Sequence, residues 1–313
     1  DVDFSTGSVG LGAAIPVFAS LVQDYLEGHG RSAPLGRMVA LIGDAELDEG
    51  NIYEALQEGW KNDLRNVWWV IDYNRQSLDG VVREGLFGRI EAIFAAFGWR
   101  VVRLKYGALQ RAAFAETGGE ALRDWIDACP NALYSALTFQ GGASWRKRLM
   151  EDLGTDSDAT ALLARRTDAE LATLMENLGG HCLQSLCESF DSIADDQPTV
   201  FLAYTVKGWG TPLAGHKDNH AGLMTPAQMS VFQKAMGVAE GQEWQAFVAV
   251  PDADALRNFL DRVPFFRNGR RRFSASVLPS PGRADLTDRV LSTQAGFGKI
   301  LDDLARKGGP LAD

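Results

Sequence analysis

The sequence predicts an α/β protein with a mostly parallel sheet and helices on both faces, on three observations. Two apolar runs of strand length, residues 38–43 (MVALIG) and 67–72 (VWWVID), enclose a segment with helical periodicity. A strand, helix and strand of this length form a right-handed crossover, which keeps both strands parallel in one sheet. Apolar runs without alternation are typical of strands that are covered on both faces.

The remaining elements follow from apolar periodicity and from turn residues. The first helix is predicted over residues 10–26, where Leu11, Ile15 and Phe18 begin a series of apolar positions at helical intervals. The helix between the two strands is expected to begin near Asp48, a plausible N-cap. Further along we predict a helix over 86–97, a strand over 99–104, a helix-rich region over 107–180, a buried strand over 199–206 and short irregular pieces from 238 onward.

Composition limits the class of protein. The 313 residues suggest about two domains, and 46% hydrophobic with 23% charged residues excludes collagen-like and disordered chains. The formal net charge of −10 opposes binding to polyanions, so we predict no nucleic acid partner and no anionic membrane surface. Three cysteines make no disulfide framework and no signal peptide is visible, so a reducing cytoplasm is expected.

Two polar residues follow neighbouring strands of the predicted sheet. Asp44 comes directly after the first strand and Asn74 lies just beyond the second. Carboxylate and amide oxygens at one sheet edge suit Mg²⁺ or Ca²⁺, and the nearby helix N-terminus favours an anion. A metal beside a helix terminus predicts a diphosphate site. Taken singly, however, Asp44 is more typical of a turn or a helix cap than of a metal ligand, and Asn74 is more typical of a turn.

The strings around these residues carry a family resemblance. GDAELDEGN at 43–51, followed by Asn74 within DYNRQSLDG, resembles the signature of thiamine-diphosphate enzymes. Together with SVGLG at 8–12, EAIFAAFGW and AYTVKGWG, it resembles the homodimeric pyruvate dehydrogenase decarboxylating subunits over about residues 1–235. Transketolases share the first part of this pattern.

The resemblance implies a fold and a domain organisation. The expected fold is the three-layer thiamine-diphosphate-binding fold. Residues 1–237 would be the module that binds diphosphate and magnesium, and residues 238–313 would be a linker toward a pyrimidine-binding module outside this chain. The chain is thus expected to be a fragment of a larger enzyme or one product of a split gene.

Site residues are likewise implied by the resemblance. Asp44, Asn74 and the main-chain carbonyl of Gln76 would be the magnesium ligands, and the backbone N–H of Ala45 would meet the diphosphate. Ala45 stands where the family most often has glycine, so its turn is expected to stay in an ordinary backbone region. The other implied cofactor contacts are Ser8, Val9, Glu46 and Leu78.

A second cluster, AGHKDNHAGLM at 214–224, follows soon after Lys207. His220 aligns best with a family histidine near the reaction centre, where an imidazole would move protons or hold the carboxylate of a 2-oxo acid. Lys207 would supply positive charge to that carboxylate, although a lysine at a strand end also fits a solvent-facing role. His216 and Lys217 fit a solvated loop better than a catalytic role.

Two further clusters invite readings that the sequence does not favour. His181, Cys182 and Cys187 suggest a metal site, but their spacing does not place them on one helical face, and a buried structural thiol is the better interpretation. The basic run at 267–272 suggests nucleic acid, but in an acidic chain a solvated linker is favoured.

The function implied by the resemblance is that of a dehydrogenase, dependent on thiamine diphosphate and Mg²⁺, that decarboxylates a 2-oxo acid such as pyruvate and passes the acyl group to a lipoyl domain. The implied partners are a second copy or a complementary pyrimidine-binding module, and the dihydrolipoyl acyltransferase core. Because the glutamate that activates the cofactor belongs to the pyrimidine-binding module, the chain alone is predicted to be inactive.

Three alternatives stay open. The first is transketolase-type two-carbon transfer, and the second is a non-catalytic module that binds cofactor or a subunit. The third is a dinucleotide-binding dehydrogenase, suggested by the glycines at positions 10 and 12. It is weak because the third glycine of that fingerprint is missing and no strand precedes the turn.

Overall fold

The computed structural model describes residues 6–30, 36–77, 80–263, 280, 282 and 290–309. The chain divides into two compact units, residues 1–249 and 250–313. The strands of the first unit are β1 (Met38–Gly43), β2 (Val67–Tyr73), β3 (Gln76–Ser77), β4 (Gly80–Val81), β5 (Arg100–Leu104) and β6 (Thr199–Tyr204). Its helices are α1 (Leu11–Gly28), α2 (Gly50–Lys61), α3 (Leu86–Ala96), α4 (Ala108–Phe114), α5 (Gly119–Ala128), α6 (Asn131–Gln140), α7 (Gly142–Leu153), α8 (Ser157–Ala164), α9 (Asp168–Glu176), α10 (Leu183–Asp191) and α11 (Pro226–Ala235).

Four parallel strands form the central sheet in the order β1-β2-β6-β5. β3 and β4 form a separate antiparallel pair beside it. The register aligns Gly43 with Asp72 and Tyr73 with Tyr204, so β1, β2 and β6 end at the same edge. The loops that follow these three strands are therefore neighbours, whatever their separation in sequence.

Helices cover the sheet on both faces, which gives three layers and confirms the predicted α/β class. Alternate β2 residues point in opposite directions. Trp69 and Ile71 belong to the core that α1, α2 and α3 close. Trp68 and Val70 pack on the other face with Phe190 and its neighbours in and just after α10.

One expectation about β1 is wrong. The continuous apolar run predicted cover on both faces, but Val39 and Leu41 are 54% and 77% exposed, whereas Ala40 and Ile42 are buried. β1 is an edge strand, and the helix on that face, α10, packs on the other strands. Strand order, which the apolar run does not encode, decides this difference.

The helix-rich region predicted over 107–180 is confirmed as the bundle α4–α9. Its core is a second apolar cluster around Trp145, Leu149, Leu162 and Leu171. Tyr204, at the end of β6, packs against both this cluster and the sheet core. The bundle is therefore joined to the sheet at the edge where the strands end.

In the second unit, the described helices are α12 (Ala253–Leu260) and α13 (Thr293–Lys307), and neither contains a buried residue. The basic run at 267–272 lies outside the described residues. The division into a module over 1–237 and a linker from 238 stays a prediction. Within the described ranges, no helix combines the length and the apolar character needed to cross a membrane.

Candidate metal and diphosphate site

The two loops singled out in the sequence meet at the carboxyl edge of the sheet. Asp44 opens a short 3₁₀ helix (Asp44–Asp48) directly after β1, and Asn74 follows β2. The backbone N–H of Arg75 donates to Oδ2 of Asp44 over 2.9 Å. This hydrogen bond joins the loops side by side, so the residues predicted as metal ligands share one site.

The Asp44 carboxyl group is the most unusual group in this site. It is only 4% exposed, and its Oδ1 has no hydrogen-bond partner among the described residues. Burial, against the opposing effect of the Arg75 amide and with a smaller contribution from the charge of Asp72, raises its pKa to about 6. A buried carboxylate oxygen without a donor is an oxygen that a bound cation would satisfy.

Asn74 and Gln76 supply the other oxygen atoms. Oδ1 of Asn74 accepts from the backbone N–H of Gln76 over 3.0 Å and keeps a second lone pair. The side chain of Gln76 is buried, and its Oε1 lacks a partner in the described part of the chain. One carboxylate with amide and main-chain oxygens is a donor set that fits Mg²⁺. Three or more His, Cys, Asp or Glu side chains suited to a metal do not cluster anywhere in the described residues.

Three residues that the sequence did not single out support these loops. Asp72 accepts hydrogen bonds from the side-chain amide of Asn74 and from the hydroxyl of Thr205, and burial raises its pKa. Arg75 has a φ of 66°, is 5% exposed and donates to the Thr205 carbonyl over 3.0 Å. The sequence offered one signal for two of them: the charged residues Asp72 and Arg75 stand on either side of Asn74 at the end of an apolar strand.

The turn before α1 is held against the Asp44 loop. Oε2 of Glu46 accepts from the backbone N–H of Gly10 over 3.0 Å, and Oε1 accepts from Gly43 over 3.3 Å. Gly10 has a φ of 82°, and a Cβ there would lie 2.2 Å from Oδ1 of Asn51. This close approach requires glycine and brings the exposed Ser8–Val9 segment to the rim of the site.

The remaining predicted contacts around this loop have different outcomes. Ala45 lies in the 3₁₀ helix and is not among the described non-glycine residues with positive φ, so its backbone is ordinary, as expected. Leu78 lies outside the described residues. The predicted N-cap of α2, Asp48, is wrong by one residue, because residues 44–48 form the 3₁₀ turn, Glu49 is the N-cap and α2 begins at Gly50.

Lys207 and His220, the two predicted catalytic residues, lie side by side. Their Nζ and Nδ1 atoms are 3.4 Å apart. The loop folds back because the Lys207 carbonyl accepts from Nδ2 of Asn219 over 2.9 Å and from the N–H of Gly215 over 3.0 Å. Lys207 comes two residues after Thr205, which bonds to Asp72, so the pair follows the same sheet edge as the metal loops.

His181 supports this loop and was not assigned to the site from the sequence. Its imidazole stacks on Trp209 with 4.3 Å between ring centroids, and its Nε2 accepts from the N–H of Val206 over 2.8 Å. Burial and the charge of Arg75 lower its pKa to about 4, so it is a neutral acceptor near pH 7. The neighbouring Cys182 is buried, as expected for a structural thiol, whereas Cys187 is exposed.

Comparison with curated proteins extends the resemblance over nearly the whole chain. The pyruvate dehydrogenase E1 component of Cupriavidus necator is 26% identical over 97% of this chain and 36% of its own length. The protein of the same name from Escherichia coli is 28% identical over 97% of this chain and 34% of its own length. The chain is similar to pyruvate dehydrogenase E1 components. This confirms the resemblance seen in the motifs.

The chain spans about a third of the length of these relatives. The Corynebacterium glutamicum pyruvate dehydrogenase E1 component is 29% identical over 66% of this chain and 23% of its own length. No family model matches the sequence. Among solved structures, a transketolase variant from Pichia stipitis aligns over 97% of this chain and 30% of its own, with a TM-score of 0.41 and 14% identity.

Proposed function

We propose that this chain is the diphosphate- and metal-binding part of a thiamine-diphosphate-dependent 2-oxo-acid dehydrogenase that acts on pyruvate. The observation that carries the proposal is the buried Oδ1 of Asp44, which lacks a donor and lies in the loop joined to that of Asn74. The names of the relatives supply the reaction and the substrate. Because the chain spans about a third of them, the activity belongs to a larger assembly.

Asp44, Asn74 and the main-chain carbonyl of Gln76 would hold Mg²⁺ in this function. The backbone N–H of Ala45 would bind the diphosphate. Thiamine diphosphate, when bound, supplies the nucleophile and the electron sink for decarboxylation. The other proposed cofactor contacts are Ser8, Val9, Glu46 and Leu78.

Lys207 and His220 would act on the substrate. Their side chains, 3.4 Å apart, offer two adjacent hydrogen-bond donors, and the lysine adds a positive charge. Such a pair would hold the carboxylate of a 2-oxo acid and place an imidazole beside the reacting carbon. His181, which is kept neutral, would only support the loop that carries Lys207.

The proposal includes partners. A second copy or a complementary pyrimidine-binding module would supply the rest of the active site, and a dihydrolipoyl acyltransferase core would accept the acyl group. The isolated chain would therefore turn over no pyruvate. A cytoplasmic location also stays a prediction.

Calorimetric titration of the chain with Mg²⁺ and thiamine diphosphate tests the site directly. We expect uptake that requires both ligands and that Asp44→Ala abolishes, while Asp48→Asn, an exposed change on the same 3₁₀ helix, leaves it intact. Equal binding by wild type and Asp44→Ala would contradict the proposal.

Activity assays then address the reaction. With a complementary pyrimidine-binding module added, pyruvate rather than a ketose phosphate should be consumed, and Lys207→Ala should raise the KM for pyruvate more than it lowers kcat. Consumption of the ketose phosphate alone would favour transketolase chemistry. Binding without turnover of either substrate would favour a non-catalytic module.

A further inference from the structure

Arg75 is a buried cation without a carboxylate partner among the described residues. It is 5% exposed, and the ion pairs in the described part of the chain are formed by other basic residues. Its Nη2 donates to the Thr205 carbonyl over 3.0 Å, whereas its Nε has no acceptor within the described ranges. Because an unpaired charge is costly to bury, packing alone favours an apolar side chain at this position. The arginine therefore calls for a role other than packing.

Two aromatic rings hold the guanidinium at the junction between the sheet and the helix bundle. Its central carbon lies 5.0 Å from the ring centroid of Tyr134 on α6 and 5.7 Å from that of Tyr204 at the end of β6. Tyr134 belongs to the core of the bundle, and Tyr204 packs against both the bundle and the sheet core. A guanidinium over such rings, away from water, is stabilised by cation–π attraction. The rings therefore fix the position of the charge.

The guanidinium acts on the peptide group between Thr205 and Val206, directly before Lys207. The oxygen of this peptide group accepts from Arg75, and its N–H donates to Nε2 of His181 over 2.8 Å. Burial and, second, the charge of Arg75 lower the pKa of His181 to about 4, which keeps Nε2 an acceptor at neutral pH. Because a peptide group is planar, holding both its oxygen and its N–H fixes the direction in which the chain enters Lys207.

We propose that Arg75 is a positioning residue that sets where Lys207 lies relative to the metal loops. This rests on the proposed function, in which Lys207 holds the substrate carboxylate. The backbone N–H of Arg75 donates to Oδ2 of Asp44 over 2.9 Å, and its side chain donates to the Thr205 carbonyl. One residue thereby links the metal-binding end of the site to its substrate-binding end.

Arginine suits this role better than other side chains. Its planar fork donates hydrogen bonds while its face stacks on aromatic rings, whereas a lysine keeps the charge on a single flexible ammonium group. An apolar side chain would leave the Thr205 carbonyl without this donor and would remove the charge that acts on His181. The φ of 66° at Arg75 is a conformation that glycine adopts more easily, so the arginine is present despite an unfavourable backbone conformation.

Hydrogen exchange of the full chain without ligand, measured by NMR at the N–H of Val206, tests the contact. We expect Arg75→Met to accelerate this exchange by about tenfold or more, because the peptide group loses a hydrogen bond to its oxygen. Arg75→Lys, which keeps the charge, should recover much of the protection. The matched control is Arg123→Met on α5, because Arg123 also lies over a tyrosine ring, 5.7 Å from the Tyr106 centroid, but is exposed. Circular dichroism checks that all variants fold.

The titration of His181, followed by NMR, reports on the charge of Arg75 separately. The other groups that face this imidazole are the Trp209 indole, which stacks on it, and Glu176, which accepts from that indole. Cys182 follows in the chain. Arg75→Met should let His181 take up its proton at a higher pH, whereas Arg75→Lys should titrate like wild type. Titration of Arg75→Met at the wild-type pH would count against the proposal, since the guanidinium would then not act on this side of the peptide group.

Kinetics with a complementary pyrimidine-binding module added test the effect on substrate. Arg75→Met should raise the KM for pyruvate by roughly fivefold or more, with a smaller change in kcat, because the chemistry does not involve the guanidinium. Its affinity for Mg²⁺ and thiamine diphosphate should stay within about twofold of wild type, because the N–H that binds Asp44 is kept.

Unchanged exchange at Val206 or an unchanged KM in Arg75→Met would overturn the proposal. Equal losses in Arg75→Met and Arg123→Met would do so as well, because the effect would then not be specific to this site. Failure of the proposed function has a different signature. In that case the wild-type chain takes up no cofactor, whereas the exchange and titration data still decide whether Arg75 holds the peptide group before Lys207.

Discussion

The backbone N–H of Arg75 donates to Oδ2 of Asp44 over 2.9 Å, and this hydrogen bond ties the loop after β2 to the loop after β1. The two carboxylate oxygens of Asp44 thus have different roles. Oδ2 holds the loops together, whereas Oδ1 stays without a donor in the described part of the chain. The site is preorganised by the protein, at the cost of a buried carboxyl group whose pKa is about 6.

Replacing Asp44 with Asn is expected to weaken metal binding and to stabilise the metal-free fold. The amide keeps an oxygen for the Arg75 N–H but removes the buried charge. With a pKa of about 6 in the folded state against an ordinary 3.8, ionised Asp44 destabilises the fold at pH 8. Without metal, Asp44→Asn should therefore raise the free energy of unfolding by roughly 1–3 kcal/mol in urea titrations. Lower stability would contradict this account.

Metal-dependent cofactor binding is expected to weaken in acid. Mg²⁺ requires the ionised carboxylate, so its affinity should fall as pH drops through about 6, approaching tenfold per pH unit below it. Calorimetry at a series of pH values measures this. An affinity that is flat from pH 7 to pH 5 would show that Asp44 does not bind the metal.

As pH rises, the affinity for Mg²⁺ should increase, but the contribution of Asp44 to the stability of the metal-free chain should decrease. Between pH 4 and 6 the folded chain holds a proton on Asp44 that the unfolded chain has lost. This group therefore makes stability fall as pH rises through that window. The pH dependence of wild type minus that of Asp44→Asn isolates the contribution, and a difference that rises with pH would be the wrong sign.

Asp72 is expected to position Asn74 rather than to bind the metal. Asp72 accepts a hydrogen bond from the side-chain amide of Asn74, and this contact turns Oδ1 of Asn74 away from Asp72. Asp72→Leu should weaken Mg²⁺ binding by about 10- to 100-fold, whereas Asp72→Asn keeps an acceptor oxygen and should largely restore it. Equal losses in both variants, measured by calorimetry, would indicate that the negative charge matters instead.

Two nearby glycines should respond oppositely to alanine. Gly10→Ala forces a Cβ to 2.2 Å from Asn51 Oδ1 at a φ of 82°, and should cost about 2 kcal/mol or more while weakening cofactor binding. Gly12→Ala meets nothing closer than Thr6 Cγ2 at 3.7 Å inside a helix, and should stabilise by about 0.5–1 kcal/mol. Thermal and urea unfolding compare the two, and equal effects would contradict the strained turn.

Local patterns were sufficient for part of the site. Apolar runs located β1 and β2, and the polar residue after each strand located Asp44 and Asn74, because neighbouring parallel strands end at one edge. Thr205 was out of reach of such reasoning. It bonds to Arg75 across 130 positions, and only the pairing of β2 with β6 brings them together.

The sequence by itself determined the element types, the α/β class and the loops that carry the polar oxygens, since periodicity and strand ends are properties of neighbouring residues. The tertiary structure alone decided that β1 is an edge strand with Leu41 exposed, that Lys207 lies against His220, and that Asp44 is buried with one oxygen unsatisfied. Strand order, loop closure and burial are set by contacts between distant segments. No local pattern records those contacts.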